Sequence, residues 1–202
     1  MTLKSKRFQA HIRGVRPLLM HNGQLADPLN AWTQKLAAST KKKNKTITDH
    51  EEIGRVEFQG SLYWDERPVI YASALDAVIK KGAAVNRKGK AVEAGVEVMG
   101  DAFPLMYDGP TDREGLWNAM QGERRTFADR RGVRVQRNVV IRTRPIFRDW
   151  RLTFDVVIWE FAAVNPVDLE DAIRNGGRAV GLGDFRPKFG IFELEKFKEV
   201  KA

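Results

Sequence analysis

The chain has 202 residues, 43% of them hydrophobic and 30% charged, the profile of a folded soluble domain large enough to bury a core without staples. It contains no cysteine, which excludes disulfides, thiolate zinc sites, iron–sulfur clusters and a cysteine nucleophile, and it has no apolar run of 18 residues that would span a bilayer. Lys and Arg number 35 against 26 acids, a formal net charge of +9 that points toward polyanionic partners.

From the N-terminus, Met1–Arg7 is basic but is not followed by an apolar stretch, so no secretory signal is read and a cytoplasmic location is expected. Phe8, Ala10 and Ile12 alternate with polar residues, which predicts a half-buried strand over 7–13. Pro17–His21 is a short apolar run before an Asn22-Gly23 turn. Asp27-Pro28 reads as a helix start with Asp27 as N-cap, and Leu29, Trp32 and Leu36 form its apolar stripe. Thr48–Glu51 matches a capping box for a helix carrying Ile53 and Val56. Gly60–Trp64 and Pro68–Tyr71 read as strands about a turn at 65–67. Ser73–Asp76 then caps a helix with Ala74, Leu75, Val78 and Ile79 inside, ended by Gly82.

Lys80–Ala94 is basic and reads as a loop, and Val96–Met106 as interrupted strand. Thr111–Glu114 is a capping box for a short helix bearing Leu116, Trp117 and Met120. Residues 121–132 read as a mobile arginine-rich loop, followed by one strand over Gly132–Arg144. Trp150–Ile158 alternates clearly, Asn165-Pro166 caps a helix that Gly176-Gly177 terminates, Gly181–Gly190 is a glycine-punctuated loop, and Ile191–Leu194 opens the last strand. The order strand–helix–strand–strand–helix–strand predicts an α+β, ferredoxin-like core over 1–79 and 150–202, with a basic inserted lobe at about 80–149.

The positive charge is segregated. Arg124–Arg151 holds ten arginines and two acids, Lys35–Lys45 five lysines and no acid, and Lys80–Lys90 five cations and no acid; these segments carry +18, so the remainder is −9. Arginine suits phosphate because its planar fork binds bidentately and stacks on bases. The expected contacts to phosphate are Lys41, Lys42, Lys43, Arg124, Arg125, Arg130, Arg131, Arg134, Arg137, Arg142 and Arg144. The loop Gly181-Leu-Gly183-Asp-Phe185-Arg186-Pro-Lys188-Phe189-Gly190 adds glycines that allow close backbone approach, cations for phosphate, and rings that stack on a base or plug the core. It is neither a Walker A loop nor a dinucleotide fingerprint, since no Gly-Lys-Ser/Thr is present and it precedes a strand. His11, His21 and His50 do not have metal-ligand spacing, so no metal and no cofactor is expected.

Two segments carry a family resemblance. The Gly181–Gly190 loop resembles the glycine-rich loop of the repeat-associated mysterious protein superfamily, the RNA-recognition-motif-like subunits of CRISPR effector complexes, where it joins the last helix to the last strand. Pro68–Lys80 is similar to that family's Ile-Pro-Gly-Ser-Ser-Leu-Lys-Gly strand-to-helix junction, with Tyr71-Ala72 in place of Pro-Gly and Asp76 where Lys is usual. The likeness is to the backbone subunits that polymerise along the guide RNA and covers about half the chain. Arg142–Phe147 and Gly181–Pro187 also resemble segments of small bacteriophage proteins.

The resemblance implies that the core sheet and glycine loop hold single-stranded nucleic acid, that the basic insertion lies over the strand as a thumb, and that copies stack head to tail, with other effector subunits as further partners. In the RNA-cleaving branch an Asp after the first strand does the chemistry, and Asp27 is the residue near that place. The expectation is therefore a non-enzymatic single-stranded RNA- or DNA-binding protein with little sequence preference. The alternatives are a phage structural or assembly protein with a basic face, and a ribonuclease using Asp27.

Overall fold

The computed structural model describes residues 4–200; Met1, Thr2 and Leu3, part of the stretch inspected for a secretory signal, lie outside the described residues. In chain order the elements are β1 (Ser5–Gly14), β2 (Leu18–Leu19), a 3-10 turn (Gly23–Ala26), α1 (Ala31–Thr40), α2 (Ile47–Ser61), β3 (Trp64–Asp65), β4 (Arg67–Tyr71), α3 (Ala72–Ala84), α4 (Gly89–Gly95), β5 (Val96–Met99) and β6 (Ala102–Pro104). They continue with α5 (Arg113–Asn118), β7 (Met120–Gln121), β8 (Arg124–Arg125), β9 (Ala128–Val135), β10 (Asn138–Phe147), β11 (Arg151–Trp159), α6 (Pro166–Ala179) and β12 (Phe192–Val200). The chain divides into two compact units. The first takes residues up to Leu18, Val69–Asp108 and Arg148 onward, and the second takes Leu19–Pro68 and Gly109–Phe147. Residues 80–108 of the segment expected as an inserted lobe fall in the first unit.

The first unit is ferredoxin-like. Its sheet runs β12-β1-β11-β5, with every neighbouring pair antiparallel, and the chain visits it as strand, helix α3, strand, strand, helix α6, strand. Period-2 alternation explains this: Phe8, Ala10 and Ile12 of β1 and Leu152, Phe154, Val156 and Ile158 of β11 all turn to one buried face. Leu75, Val78 and Ile79 of α3 and Leu169, Ala172 and Ile173 of α6 are likewise buried. Glycines expected to end these helices instead let them touch. A Cβ on Gly82 would overlap the backbone of Ala172 and Gly176, and one on Gly176 would sit 2.7 Å from Val78 O. Both helices therefore run past their glycines, to Ala84 and Ala179.

Several local expectations are corrected. The basic stretch 80–94 is the end of α3 plus α4, not a loop. Asp76 does not cap α3; its Oδ1 accepts the Val98 N–H at 3.1 Å and ties the helix to β5. Burial, with a smaller push from Glu97, raises the Asp76 carboxyl above its ordinary value, against the Val98 hydrogen bond that favours the charge.

In the second unit, the N-cap of α2 is Thr46, two residues before the expected Thr48. Thr46 accepts from the Asp49 N–H, and Asp49 accepts from the Thr46 N–H. Lys42, then the Thr46 bonds, hold the Asp49 carboxyl far below the usual carboxylate range. The helix continues through Ser61, so of the strand expected at Gly60–Trp64 only Trp64 lies in a strand. Asp27 is not the N-cap of α1. Asn30 is, accepting from Trp32 N at 2.9 Å, while Asp27 closes the 3-10 turn and accepts from Leu29 N at 2.9 Å. Asp112, not Thr111, caps α5.

The segments read as a loop over 121–132 and a single strand over 132–144 are instead two short strands and a long hairpin. β9 and β10 pair from Ala128↔Pro145 toward a turn at Gln136-Arg137, where Gln136 has φ +55. The turn lacks the Asn-Gly or Asp-Gly signal that announces most tight hairpins, so Val133–Ile141 reads as uninterrupted β sequence. Phe58 and Trp117 (5.4 Å between ring centroids) and Phe127 and Phe147 (5.7 Å) fill the core of this unit.

Candidate nucleic-acid interface

In the first unit the loop after α6 is built by backbone approach. Leu182 N donates to Gly190 O at 2.9 Å, and Gly190 N donates to Pro17 O at 2.8 Å. Gly181, Gly183 and Gly190 all have φ near +75. A Cβ on Gly190 would overlap Leu182 O, and one on Gly181 would meet Gly190 O at 2.9 Å. Loop closure alone thus accounts for Gly181 and Gly190.

Phe185 takes part in the same turn, its carbonyl accepting from Phe189 N at 3.2 Å and its N–H donating to Asp184 Oδ1 at 2.8 Å, but closure does not bury its side chain. Its backbone sits at φ +54, a region that costs a bulky L-residue, yet the residue is 51% exposed. Phe189, by contrast, is 7% exposed and plugs the core. The two rings stack at 5.8 Å with 29° between their planes, and Lys188 Nζ lies 5.7 Å from the Phe185 centroid. Arg186 reaches back to Gly181 O at 3.4 Å, and Arg16 holds Pro187 O at 2.9 Å. Phe185, Arg186, Gly183, Asp184 and Pro187, with Lys81 from α3, line an open cleft of about 420 Å³. Lys81 was not expected here: in sequence it belongs to the basic run at 80–90, and only the packing of α3 against α6 brings it to the loop.

The open face of the first unit's sheet is largely polar, with Trp159 at one end, its Nε1 donating to Glu97 at 3.2 Å. Arg7 and Gln9 share Asp155 at 2.5 and 3.1 Å, His11 Nδ1 is 3.0 Å from Thr153 Oγ1, and Arg13 bonds Glu193 and, at 3.0 Å, Glu195. Arg7 and Arg13 are thus paired with carboxylates, and the same face also carries Val157, Trp159, Met99 and the exposed Arg151.

In the second unit the arginines divide into two groups. Arg125 is committed inside the fold: it pairs with Glu51, donates to Trp117 O at 2.7 Å and lies 3.8 Å over the Trp117 ring. Arg131 is bonded to Asp129 at 2.7 Å, and the buried Arg144 lies 3.9 Å from the same carboxylate. Arg142 donates to Glu57, which is 3% exposed and accepts from Thr143 N through its other oxygen, each at 2.8 Å.

Arg124, Arg130, Arg134 and Arg137 are exposed. On the hairpin, cross-strand register puts Arg130 and Arg134 on the same face as Ile141 and Val139, which are 54% and 72% exposed. The hairpin thus presents cations beside apolar β-branched side chains. Lys41, Lys42 and Lys43 follow α1 on the surface, and Lys42 Nζ pairs with Asp49 at 2.8 Å. The predicted cations therefore fall on two units, the lysines and arginines 124–144 on the second and Arg186 and Lys188 on the first.

Among the described residues no group of three or more His, Asp or Glu is placed to hold a metal ion, and no helix is long and apolar enough to cross a membrane. Asp27, the candidate for RNA cleavage, is occupied in the turn described above.

The chain matches no protein-family model and no curated protein. It is similar to a chain of a solved structure, the Type III-B Cmr-beta bound to cognate target RNA, studied by cryo-EM. The two are 13% identical with a TM-score of 0.48; the match covers 98% of this chain and 61% of the other, so this chain spans about three fifths of that length.

Proposed function

We propose that the protein binds single-stranded nucleic acid without cleaving it, using the glycine-loop cleft of the first unit and the cationic hairpin of the second. The observation that carries this reading is Phe185. An exposed ring held in left-handed backbone, with Lys188 beside it and Lys81 and Arg186 lining the adjoining cleft, has the chemistry to take a base on its π-face and a phosphate on its cations. The β-α-β-β-α-β plan, with the loop between the last helix and last strand, supports the likeness to CRISPR backbone subunits, and head-to-tail assembly of copies along the strand belongs to the same proposal.

The test is fluorescence anisotropy with labelled 20-nucleotide RNA and DNA of several sequences, across a salt series. With about six phosphates neutralised, log affinity should fall against log salt with a slope near −4. Affinity should vary little with sequence. Arg134→Glu with Arg137→Glu should weaken all sequences alike and flatten the slope by about 1.4, the share of two contacts. A salt-independent or absent signal overturns the reading. Ordered particles formed without oligonucleotide would favour the structural-protein alternative, and cleaved RNA the ribonuclease.

A further inference from the structure

Helix α1 is an anomaly in the second unit. It spans ten residues and buries none of them; only Trp32, Thr33, Leu36 and Ser39 are even half-covered. A helix of that length is marginal in water, so its fastenings decide whether it stays formed. They are few. Trp32 lies on α2 at Gly60, where an added Cβ would come within 3.0 Å of the Trp32 Cβ and 2.7 Å of Leu25. Arg113 sits 5.2 Å over the Trp32 ring and 4.2 Å over that of Trp64, and Lys35 sits 4.8 Å over Trp32. Thr33 Oγ1 donates to Gln24 O at 3.1 Å, and Gln24 Nε2 to Gly60 O at 2.8 Å. Beyond the helix, Lys41–Lys45 is exposed apart from a half-covered Lys45, and the segment 35–45 holds five lysines and no acid. Its ion pair reaches outside, from Lys42 to Asp49.

We propose that residues 31–45 are a lysine-bearing flap, clasped to α2 by Trp32 on Gly60, which opens in the free protein and is held closed when its lysines engage a single-stranded polyanion. Few buried contacts and solvent-exposed hydrogen bonds give such a segment a low opening free energy, and a ligand that meets only the closed form stabilises it. The ligand half of this inference rests on the nucleic-acid reading above; the hinge half stands on the packing of α1 alone.

Hydrogen exchange of the full chain, free and with a 20-nucleotide oligouridylate whose binding is followed in parallel by anisotropy, separates the two halves. In the free protein, amides of 31–40 should exchange on the order of ten-fold faster than the buried half of α2, and should slow on adding the oligonucleotide. Exchange in 31–40 as slow as in α2 overturns the flap whatever the ligand does. Binding with no change over 31–45 overturns the clamp and leaves the nucleic-acid reading intact; absence of any binding removes that reading and with it the clamp. Trp32→Ala should speed exchange of 31–40 without changing residues 54–61, and should weaken binding several-fold. Gly60→Ala, which crowds the same contact while favouring α2, should do likewise and guards against misfolding of the first variant. No change in 31–40 in either variant overturns the assignment of the clasp.

Discussion

Replacing Phe185 by glycine separates a binding role from a structural one. Left-handed backbone costs an L-residue about 1–2 kcal/mol, which glycine relieves. Against that, glycine's extra freedom when unfolded costs about 0.5–1 kcal/mol. Loss of the stacked contact with Phe189 costs about 0.5–1.5 kcal/mol more. For a residue already half in solvent the opposing effects largely offset, so Phe185→Gly should leave stability to urea within about 2 kcal/mol of the parent. Binding should not be spared. Stacking of a base on an aromatic ring is worth about 1–3 kcal/mol, a loss of roughly 5- to 150-fold in Kd for a labelled oligonucleotide. The neighbouring ring is the contrast: Phe189→Ala empties a buried site and should cost about 3–5 kcal/mol of stability. An unchanged Kd for a fully folded Phe185→Gly protein would show that the ring takes no base, and the cleft would lose its claim as a site.

Gly82→Ala should destabilise by more than about 2 kcal/mol despite alanine's better helix propensity, because the new methyl meets α6 backbone that cannot turn aside; Gly23→Ala, with open space at the added Cβ, is the neutral control in the same urea titration. Glu57→Ala should cost about 3–5 kcal/mol, since it strands Arg142 and the buried Thr143 N–H, and equal stability would show that these groups find other partners. Asp76 carries a pH signature. Its folded carboxyl is raised above the unfolded value, so the folded chain binds the proton more tightly. Its contribution therefore improves as pH falls through the raised value and levels off below about 4. Asp76→Asn keeps the acceptor for Val98 N; it should be at least as stable at pH 7 and should lose that acid-side gain, and a stability-versus-pH curve parallel to the parent's would contradict this account.

The strands β1 and β11 and the helix α6 were legible because local signals and burial agree: strict alternation in the strands, and Asn165 with Asp168 closing a capping box before an apolar stripe. The glycines at 82, 176 and 177 misled because a glycine that breaks a helix and one that admits a neighbouring backbone look the same in one dimension. The hairpin was hidden by a Gln-Arg turn. The glycine loop was found, but which of its two rings plugs the core and which is exposed depends on three-dimensional closure. Counting arginines could not reveal that Arg125 and Arg142 answer to Glu51 and Glu57, acids 74 and 85 positions away, which together with Arg131 and Arg144 at Asp129 halves the expected row of eight arginines.

The closure of Gly190 on Leu182 and Pro17 bears on temperature as well as geometry. A ring whose supporting backbone is already fixed surrenders little motional freedom when a ligand arrives, so its share of binding should be mainly enthalpic. A helix with no buried residue must become ordered at that moment, and its share should carry an entropic penalty that grows on warming.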